Sequence, residues 1–277
     1  MRLCLLLLLV LAMSLSGCGL KTQGRPVVTR ADPPEEKIIR PAEIVAMDRL
    51  LGLTIDKSGS PSKSQLEQLL PDLIDGIRAR AQSIEGVAVT RVANGNRPTL
   101  AERPEIFFWG RLEIPPYVEP NLEQAPADIR FFADRRSRYL VDAKERYERE
   151  KARLTRSYYS KVDEQLGKLK VHLLMGPFEA APCTRFASIA LRLERDNYPF
   201  SIFITDGWTD CKDERHHKLT PARINGKFVV LQLAREGDGA SSDREIRHRE
   251  EFLRDLFPGA DVLPGYSVSQ AMKLLFK

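Results

Sequence analysis

The stretch of sequence that decides the fold spans residues 50–60 and reads LLGLTIDKSGS. Its first six residues are apolar except for one glycine and one threonine, the pattern of a strand buried on both faces of a sheet. Asp56 ends the strand, and Ser58 and Ser60 follow at alternate positions, so the three side chains could converge on one ion. A loop after a buried strand and before a helix is where α/β sheets bind ligands. We therefore expect a binding loop here; the alternative is a turn that only caps the next helix.

Strands and helices alternate along the rest of the chain, with no internal repeat. Further strands are expected at 87–92, 105–112, 200–205, 227–233 and near Val262, and helices at 64–84, 184–195, 243–257 and from Ser267. This alternation predicts an α/β protein built on a doubly wound, mostly parallel sheet with helices on both faces. Pro71 lies within the first helix and should kink it or delay its regular start.

A second strand-end motif occupies residues 201–207, SIFITDG, in which Asp206 ends an apolar strand and Gly207 permits a sharp exit. Thr184 opens the helix that precedes this strand. Together with the first loop, the motifs supply two carboxylates and three hydroxyls. Such hard oxygen donors suit Mg²⁺, Mn²⁺ or Ca²⁺ better than zinc or copper.

The strand-end D-x-S-x-S, the helix-opening threonine and the strand-end T-D-G, in this order, resemble the von Willebrand factor A domain. The resemblance covers about residues 47–277 and implies that family's Rossmann-like fold, here with a long charged helical insertion at about 126–170. It also implies the family's metal-ion-dependent adhesion site, with a divalent cation, most simply Mg²⁺. The direct ligands carried over are Ser58, Ser60 and Thr184, while Asp56 and Asp206 bind directly or through water.

The family leaves one position of its cation for a carboxylate of the bound partner, so recognition would be bridged by the metal. Neither loop supplies a nucleophile with its base, and no histidine lies near them in sequence, which favours binding over catalysis. We therefore expect no enzyme but a protein that engages a protein or cell-envelope ligand. One alternative is a scaffold of an envelope assembly, with the helical insertion as its main contact and a vestigial metal site. Another is a metal-assisted hydrolase with Asp56 or Asp206 as base.

The N-terminus predicts the compartment. Arg2 is followed by an apolar run from Leu3 to Leu11, which is too short to span a bilayer as a mature helix. The following residues 15–18, Leu-Ser-Gly-Cys, resemble a bacterial lipobox; the alternative is a plain secretory signal with an incidental cysteine. We expect residues 1–17 to be a signal peptide, Cys18 to be lipid-modified, 18–43 to be a flexible tether, and 44–277 to form the A-type domain.

The predicted anchor places the protein on a membrane, facing the periplasm or the cell exterior, with the outer membrane favoured if the bacterium has two. Disulfides persist in such compartments. If the family fold holds, Cys183 and Cys211 lie on neighbouring loops that flank the cation site, and we expect them to form a disulfide. The alternative is a pair of free, buried thiols.

Composition excludes a disordered tail and a multi-span membrane protein, since 43% of the 277 residues are hydrophobic and 29% are charged. The formal net charge is +5, and residues 128–170 alone hold 13 basic and 8 acidic side chains. Apolar residues recur there with helical spacing, which predicts a helix of about 64 Å that either projects or breaks near Ser157 or Gly167. We expect this segment to face an anionic membrane or partner, and no nucleic acid in this compartment.

Overall fold

The structure is a computed structural model that describes residues 48–56, 63–92, 103–175, 184–208, 211, 219–233 and 243–277. These residues all belong to one compact unit. The strands are β1 (Leu50–Asp56), β2 (Gly86–Val92), β3 (Glu105–Phe108), β4 (Phe200–Thr205), β5 (Lys227–Gln232) and β6 (Asp261–Pro264). The helices are α1 (Lys63–Ala79), α2 (Ala127–Phe131), α3 (Ala133–Leu174), α4 (Phe186–Asp196), α5 (Asp243–Leu256) and α6 (Val268–Leu275).

The six strands of the described part form one mixed sheet in the order β3-β2-β1-β4-β5-β6. Every neighbouring pair is parallel except β2 and β3, which are antiparallel. The chain builds outward from β1 in one direction and then, from β4, in the other. The carboxyl ends of β1 and β4 therefore meet at a point where the strand order reverses, which in open α/β sheets is the place of the ligand crevice.

Helices cover both faces of the sheet, as the alternation of strands and helices predicts. Ile202 and Ile204 of β4 belong to one hydrophobic cluster with residues of α1, α3 and α6. Phe203, between them, belongs to a second cluster with residues of α4 and α5. All seven residues of β1 are buried, as expected for a strand covered on both sides. The general α/β class is thus confirmed.

Several details of the predicted elements differ from the structure. The first helix runs from Lys63 to Ala79 through Pro71, so the proline does not delay its start, and the helix ends five residues before the predicted residue 84. Strand β3 ends at Phe108, four residues earlier than the sequence indicates. Its end is explained by Gly110, whose φ of +83° turns the chain out of the extended conformation, and by Trp109, whose indole N–H donates to the carbonyl oxygens of Ala81 and Ile84.

The charged segment forms one helix, α3, of 42 residues, with no break at Ser157 or Gly167. Its carboxyl-terminal part is anchored to the domain by five buried side chains: Tyr158, Val162, Leu166, Leu169 and Leu173. Burial raises the pKa of the Tyr158 phenol, whose hydroxyl donates to the carbonyl oxygen of Ala81. On the surface, Arg78 of α1 donates to Asp163 over 2.6 Å and holds the pKa of that carboxyl below its ordinary value.

The amino-terminal part of α3 projects from this anchor. Between residues 133 and 157, all of which the structure describes, no side chain is buried, and this stretch is about 38 Å long. An extended segment that follows β3 runs beside it: residues 111–115 line one cavity with Glu150 and Leu154, and the rings of Tyr117 and Tyr147 are 5.2 Å apart. We call residues 111–157 the arm. Within the described residues, no helix combines the length and the apolar character needed to cross a membrane.

We expect Leu169→Ala to lower the free energy of unfolding by about 2–5 kcal/mol, because it leaves a cavity at a fully buried position of α3. Val171 lies two residues further on the same helix and is 52% exposed, so Val171→Ala serves as the matched control, with a change below about 0.5 kcal/mol. Urea unfolding of both variants measures the difference. Equal, small effects would contradict the packing of α3 on the domain.

Candidate functional site

Three segments that are distant in sequence meet at the carboxyl edge of the sheet. The Asp56 carboxylate, at the end of β1, accepts hydrogen bonds from the Thr205 hydroxyl over 2.9 Å and from the Thr184 hydroxyl over 3.2 Å. Thr205 ends β4, while Thr184 lies two residues before α4. All three side chains are buried, with exposures of 1%, 0% and 3%. The edge between β1 and β4 therefore holds a closed cluster of one carboxylate and two hydroxyls.

The chain turns sharply as it leaves β4. Gly207 has a φ of +72°, and a Cβ atom there would lie 3.0 Å from Leu253 Cδ1, so both conformation and space favour glycine. The Gly207 amide donates to the Thr205 hydroxyl over 3.1 Å, and the Trp208 amide donates to the Asp206 carboxylate over 3.0 Å. The first bond is a threonine turn and the second an Asx turn, and together they fix the chain around the fully buried Asp206.

Cys211 lies next to the same edge. It is 2% exposed and disulfide-bonded, and its sulfur lies 3.5 Å from the carbonyl oxygen of Thr184. Residue 183 precedes Thr184 directly in the chain, so this contact supports the expected partner, Cys183. Cys183 itself lies outside the described residues, and the pairing remains a prediction.

Of the five predicted metal ligands, the structure brings Asp56 and Thr184 into contact and places Asp206 directly after Thr205, the second threonine that donates to Asp56. The other two, Ser58 and Ser60, lie outside the described residues, as does Cys18 with the whole predicted signal peptide and tether. One detail of the prediction is wrong: α4 begins at Phe186 rather than at Thr184. Thr184 therefore acts through its contact with Asp56 and not as the first residue of the helix.

Thr205 belongs to this cluster, although sequence reasoning did not include it among the site residues. Its hydroxyl donates to Asp56 and accepts from the Gly207 amide, so it joins the ends of both strands. The available signal was its place within the T-D-G motif. A hydroxyl on the last residue of a buried strand, directly before an aspartate, needs a polar partner at the sheet edge.

The chemistry of the cluster fits a hard cation. Every side-chain donor in it is an oxygen, either carboxylate or hydroxyl, as Mg²⁺, Mn²⁺ and Ca²⁺ require. A threonine hydroxyl that donates a hydrogen bond to a carboxylate keeps its lone pairs as acceptors, so Asp56 can orient Thr184 toward an ion. Among the described residues, no group of three or more His, Cys, Asp and Glu side chains has the arrangement of a metal site.

Comparison with known proteins yields no relative. No family model matches the chain, no curated protein matches it, and no solved structure matches its fold.

We expect Thr205→Val to destabilise the protein by about 1–3 kcal/mol, because it preserves shape but leaves the buried Asp56 and the Gly207 amide each without one hydrogen-bond partner. Thr220 is exposed, so Thr220→Val is the matched control and should change the unfolding free energy by less than about 0.5 kcal/mol. Chemical denaturation compares the two. A Thr205 variant as stable as the control would contradict the cluster.

A disulfide between Cys183 and Cys211 would close a loop that, in the chain-entropy account, stabilises the fold by about 3–4 kcal/mol. Peptide mass spectrometry of the unreduced protein should find these two cysteines linked. The double variant Cys183→Ser/Cys211→Ser should melt at a lower temperature than the unaltered protein. Its melting temperature should no longer change when reductant is added. Two alkylatable thiols in the unreduced protein would refute the pairing.

Proposed function

We propose that the protein is a binding protein of the von Willebrand factor A type, which holds a divalent cation at the carboxyl edge between β1 and β4. Through this cation it engages a carboxylate of a protein or cell-envelope partner. The observation that carries the proposal is the contact of Asp56 with Thr184 and Thr205, from three separate segments, at one edge of the sheet, with the buried Asp206 next to Thr205 in the chain.

The position of these residues supports a ligand site. Asp56 and Asp206 follow the two strands at which the strand order reverses, and the crevice of an open α/β sheet lies at that reversal. Asp56 and Asp206 are 1% and 0% exposed. Burial of a carboxylate costs free energy unless hydrogen bonds or a cation compensate its charge. A purely structural turn does not require both aspartates.

In the proposed site, Thr184 and the serines Ser58 and Ser60 bind the cation, while Asp56 and Asp206 bind it directly or through water. Asp56 holds the hydroxyls of Thr184 and Thr205 in fixed positions. When bound, the cation supplies positive charge and an open coordination position for the partner's carboxylate. The protein's own residues orient the hydroxyl ligands and exclude bulk water from the edge.

We favour binding over catalysis because the described cluster consists of carboxylates and hydroxyls that hydrogen-bond to one another. A hydrolase would need a nucleophile or water beside a base that is free to accept its proton. Asp56 instead accepts hydrogen bonds from two hydroxyls within the cluster. We also propose that Cys18 is acylated after removal of residues 1–17, which tethers the domain to a membrane on its extracytoplasmic side.

A second function is favoured by a specific observation. The carboxylate of Asp56 is already hydrogen-bonded by two hydroxyls, an arrangement that is stable without any ion. In this alternative the cluster only closes the sheet edge, and the protein is a scaffold of an envelope assembly whose main contact is the projecting arm. The two functions differ in whether partner binding depends on a divalent cation.

We expect isothermal titration of the purified protein with Mg²⁺ or Mn²⁺ to detect one cation site. Asp206→Asn removes a charge and keeps the oxygen that accepts from the Trp208 amide, so it should weaken cation binding about tenfold or more without unfolding the turn. Asp261→Asn, on the exposed first residue of β6, is the control and should bind like the unaltered protein. Equal affinities for both variants would place the cation elsewhere.

The partner experiment separates the two functions. Affinity capture from envelope extracts should recover the same partner in Mg²⁺ and lose it in EDTA or with Asp206→Asn. Capture that survives EDTA and Asp206→Asn, but is lost when residues 111–157 are replaced by a short loop, would contradict the metal-bridged function and favour the scaffold.

A further inference from the structure

The far end of the arm exposes two neighbouring phenylalanines. Phe131, the last residue of α2, is 78% exposed, and Phe132, the single residue between α2 and α3, is 58% exposed. Large aromatic side chains contribute strongly to burial, and adjacent pairs of them on a surface mark a contact with another apolar phase. The helix packing of the arm does not require them, because neither ring is covered by it.

Arginines surround the two rings. The Arg130 guanidinium lies 5.9 Å from the centre of the Phe131 ring, and that of Arg135 lies 5.2 Å from the centre of the Phe132 ring. Arg136 donates to the carbonyl oxygen of Arg130, and Arg138 is exposed. From residue 127 to residue 138 there are four arginines and two aspartates, a net charge of +2. We call residues 127–138 the arm tip.

The aspartates do not cancel this charge. Asp128 pairs with Arg135 over 2.9 Å, with both side chains more than half exposed. Asp128 precedes the two rings at the start of α2, and Asp134 follows them at the start of α3. Three of the four arginines cluster in residues 135–138. The tip thus combines an apolar pair with a surplus of guanidinium groups, which bind phosphate oxygens in a bidentate manner.

We propose that the arm tip docks on an anionic phospholipid bilayer, with Phe131 and Phe132 inserted at the level of the headgroups and the arginines bound to lipid phosphates. Aromatic side chains and basic residues together are the pattern of interfacial membrane contacts. The positive charge complements the negative surface of such a bilayer, and the rings gain the apolar phase that the protein itself does not provide.

The form of the tip favours a bilayer over an acidic protein. The tip consists of the five-residue helix α2, Phe132 and the start of α3, at the end of a projection about 38 Å long. It contains no strand edge to which a peptide could add, and its two rings are 78% and 58% exposed. A fluid bilayer surface can take up two exposed rings without a preformed pocket, whereas a protein partner would need a pocket of matching shape.

This inference does not depend on the proposed cation site. The tip residues belong to α2 and the first turns of α3, while the cation residues lie at the ends of β1 and β4 and before α4. Failure of the tip to reach a bilayer would therefore leave the cation proposal intact, and the reverse also holds.

The test uses the full chain with Phe131→Trp and vesicles that contain bromine-labelled acyl chains, which quench only tryptophans in contact with the lipid. We expect anionic phosphatidylglycerol vesicles to quench the added fluorescence by about twofold, and pure phosphatidylcholine vesicles to quench it far less. Raising the salt to about 0.5 M should reverse most of the quenching, since exposed charges are then screened. A local probe is needed because a predicted lipid anchor would bring every variant to the vesicles.

Tyr266→Trp is the control for position, because Tyr266 is 86% exposed on the globular part and should not be quenched. The control for charge compares two fourfold substitutions to glutamine in the Phe131→Trp background. One removes the tip arginines Arg130, Arg135, Arg136 and Arg138 and should abolish quenching. The other removes equally exposed basic residues further along α3 and should not: Lys144, Arg146, Arg149 and Arg156.

Quenching at Phe131→Trp no stronger than at Tyr266→Trp would overturn the proposal, as would equal quenching by neutral and anionic vesicles or equal losses in the two fourfold variants. If the vesicles give no quenching and a photocrosslinker at position 131 joins the chain to one defined protein in envelope membranes, the tip is a protein-docking surface instead. Circular dichroism of each variant establishes that α3 remains folded.

Discussion

The carboxylate of Asp56 is the group on which the arrangement of the sheet edge depends. A carboxylate with 1% of its surface exposed must be hydrogen-bonded or paired with positive charge, because its burial otherwise costs several kcal/mol. Here the hydroxyls of Thr184 and Thr205 meet this requirement from positions 128 and 149 residues further along the chain. One buried charge thereby fixes the relative positions of β1, β4 and the entry to α4.

The sheet makes this convergence possible. Parallel pairing of β1 with β4 brings Ile55 opposite Ile204, so the residues that follow them emerge side by side. Burial of the strands on both faces leaves their carboxyl ends as the place where polar side chains can gather. Gly207 then takes the chain away from the edge, directly after the buried Asp206, in a conformation that few other residues tolerate.

Much of this architecture could be predicted from the sequence, because continuous apolar runs such as those ending at Asp56 and Thr205 are characteristic of buried parallel strands. The hydrogen bond between Asp56 and Thr205 could not, since it depends on the pairing register of strands that are far apart in sequence. The same limit holds for the arm. An apolar stripe with helical spacing does not reveal which segment lies beside it, and here Tyr117 of the extended segment contacts Tyr147.

A metal-bridged function requires a divalent cation at the sheet edge between β1 and β4. Crystals soaked in Mn²⁺ and measured at the manganese absorption edge would reveal the position of the cation without reference to any partner. We expect one anomalous peak in contact with the Thr184 hydroxyl, between Asp56 and Asp206. A fully occupied Mn²⁺ site elsewhere in the protein would contradict this function. So would the absence of anomalous density at this edge of the sheet at saturating Mn²⁺.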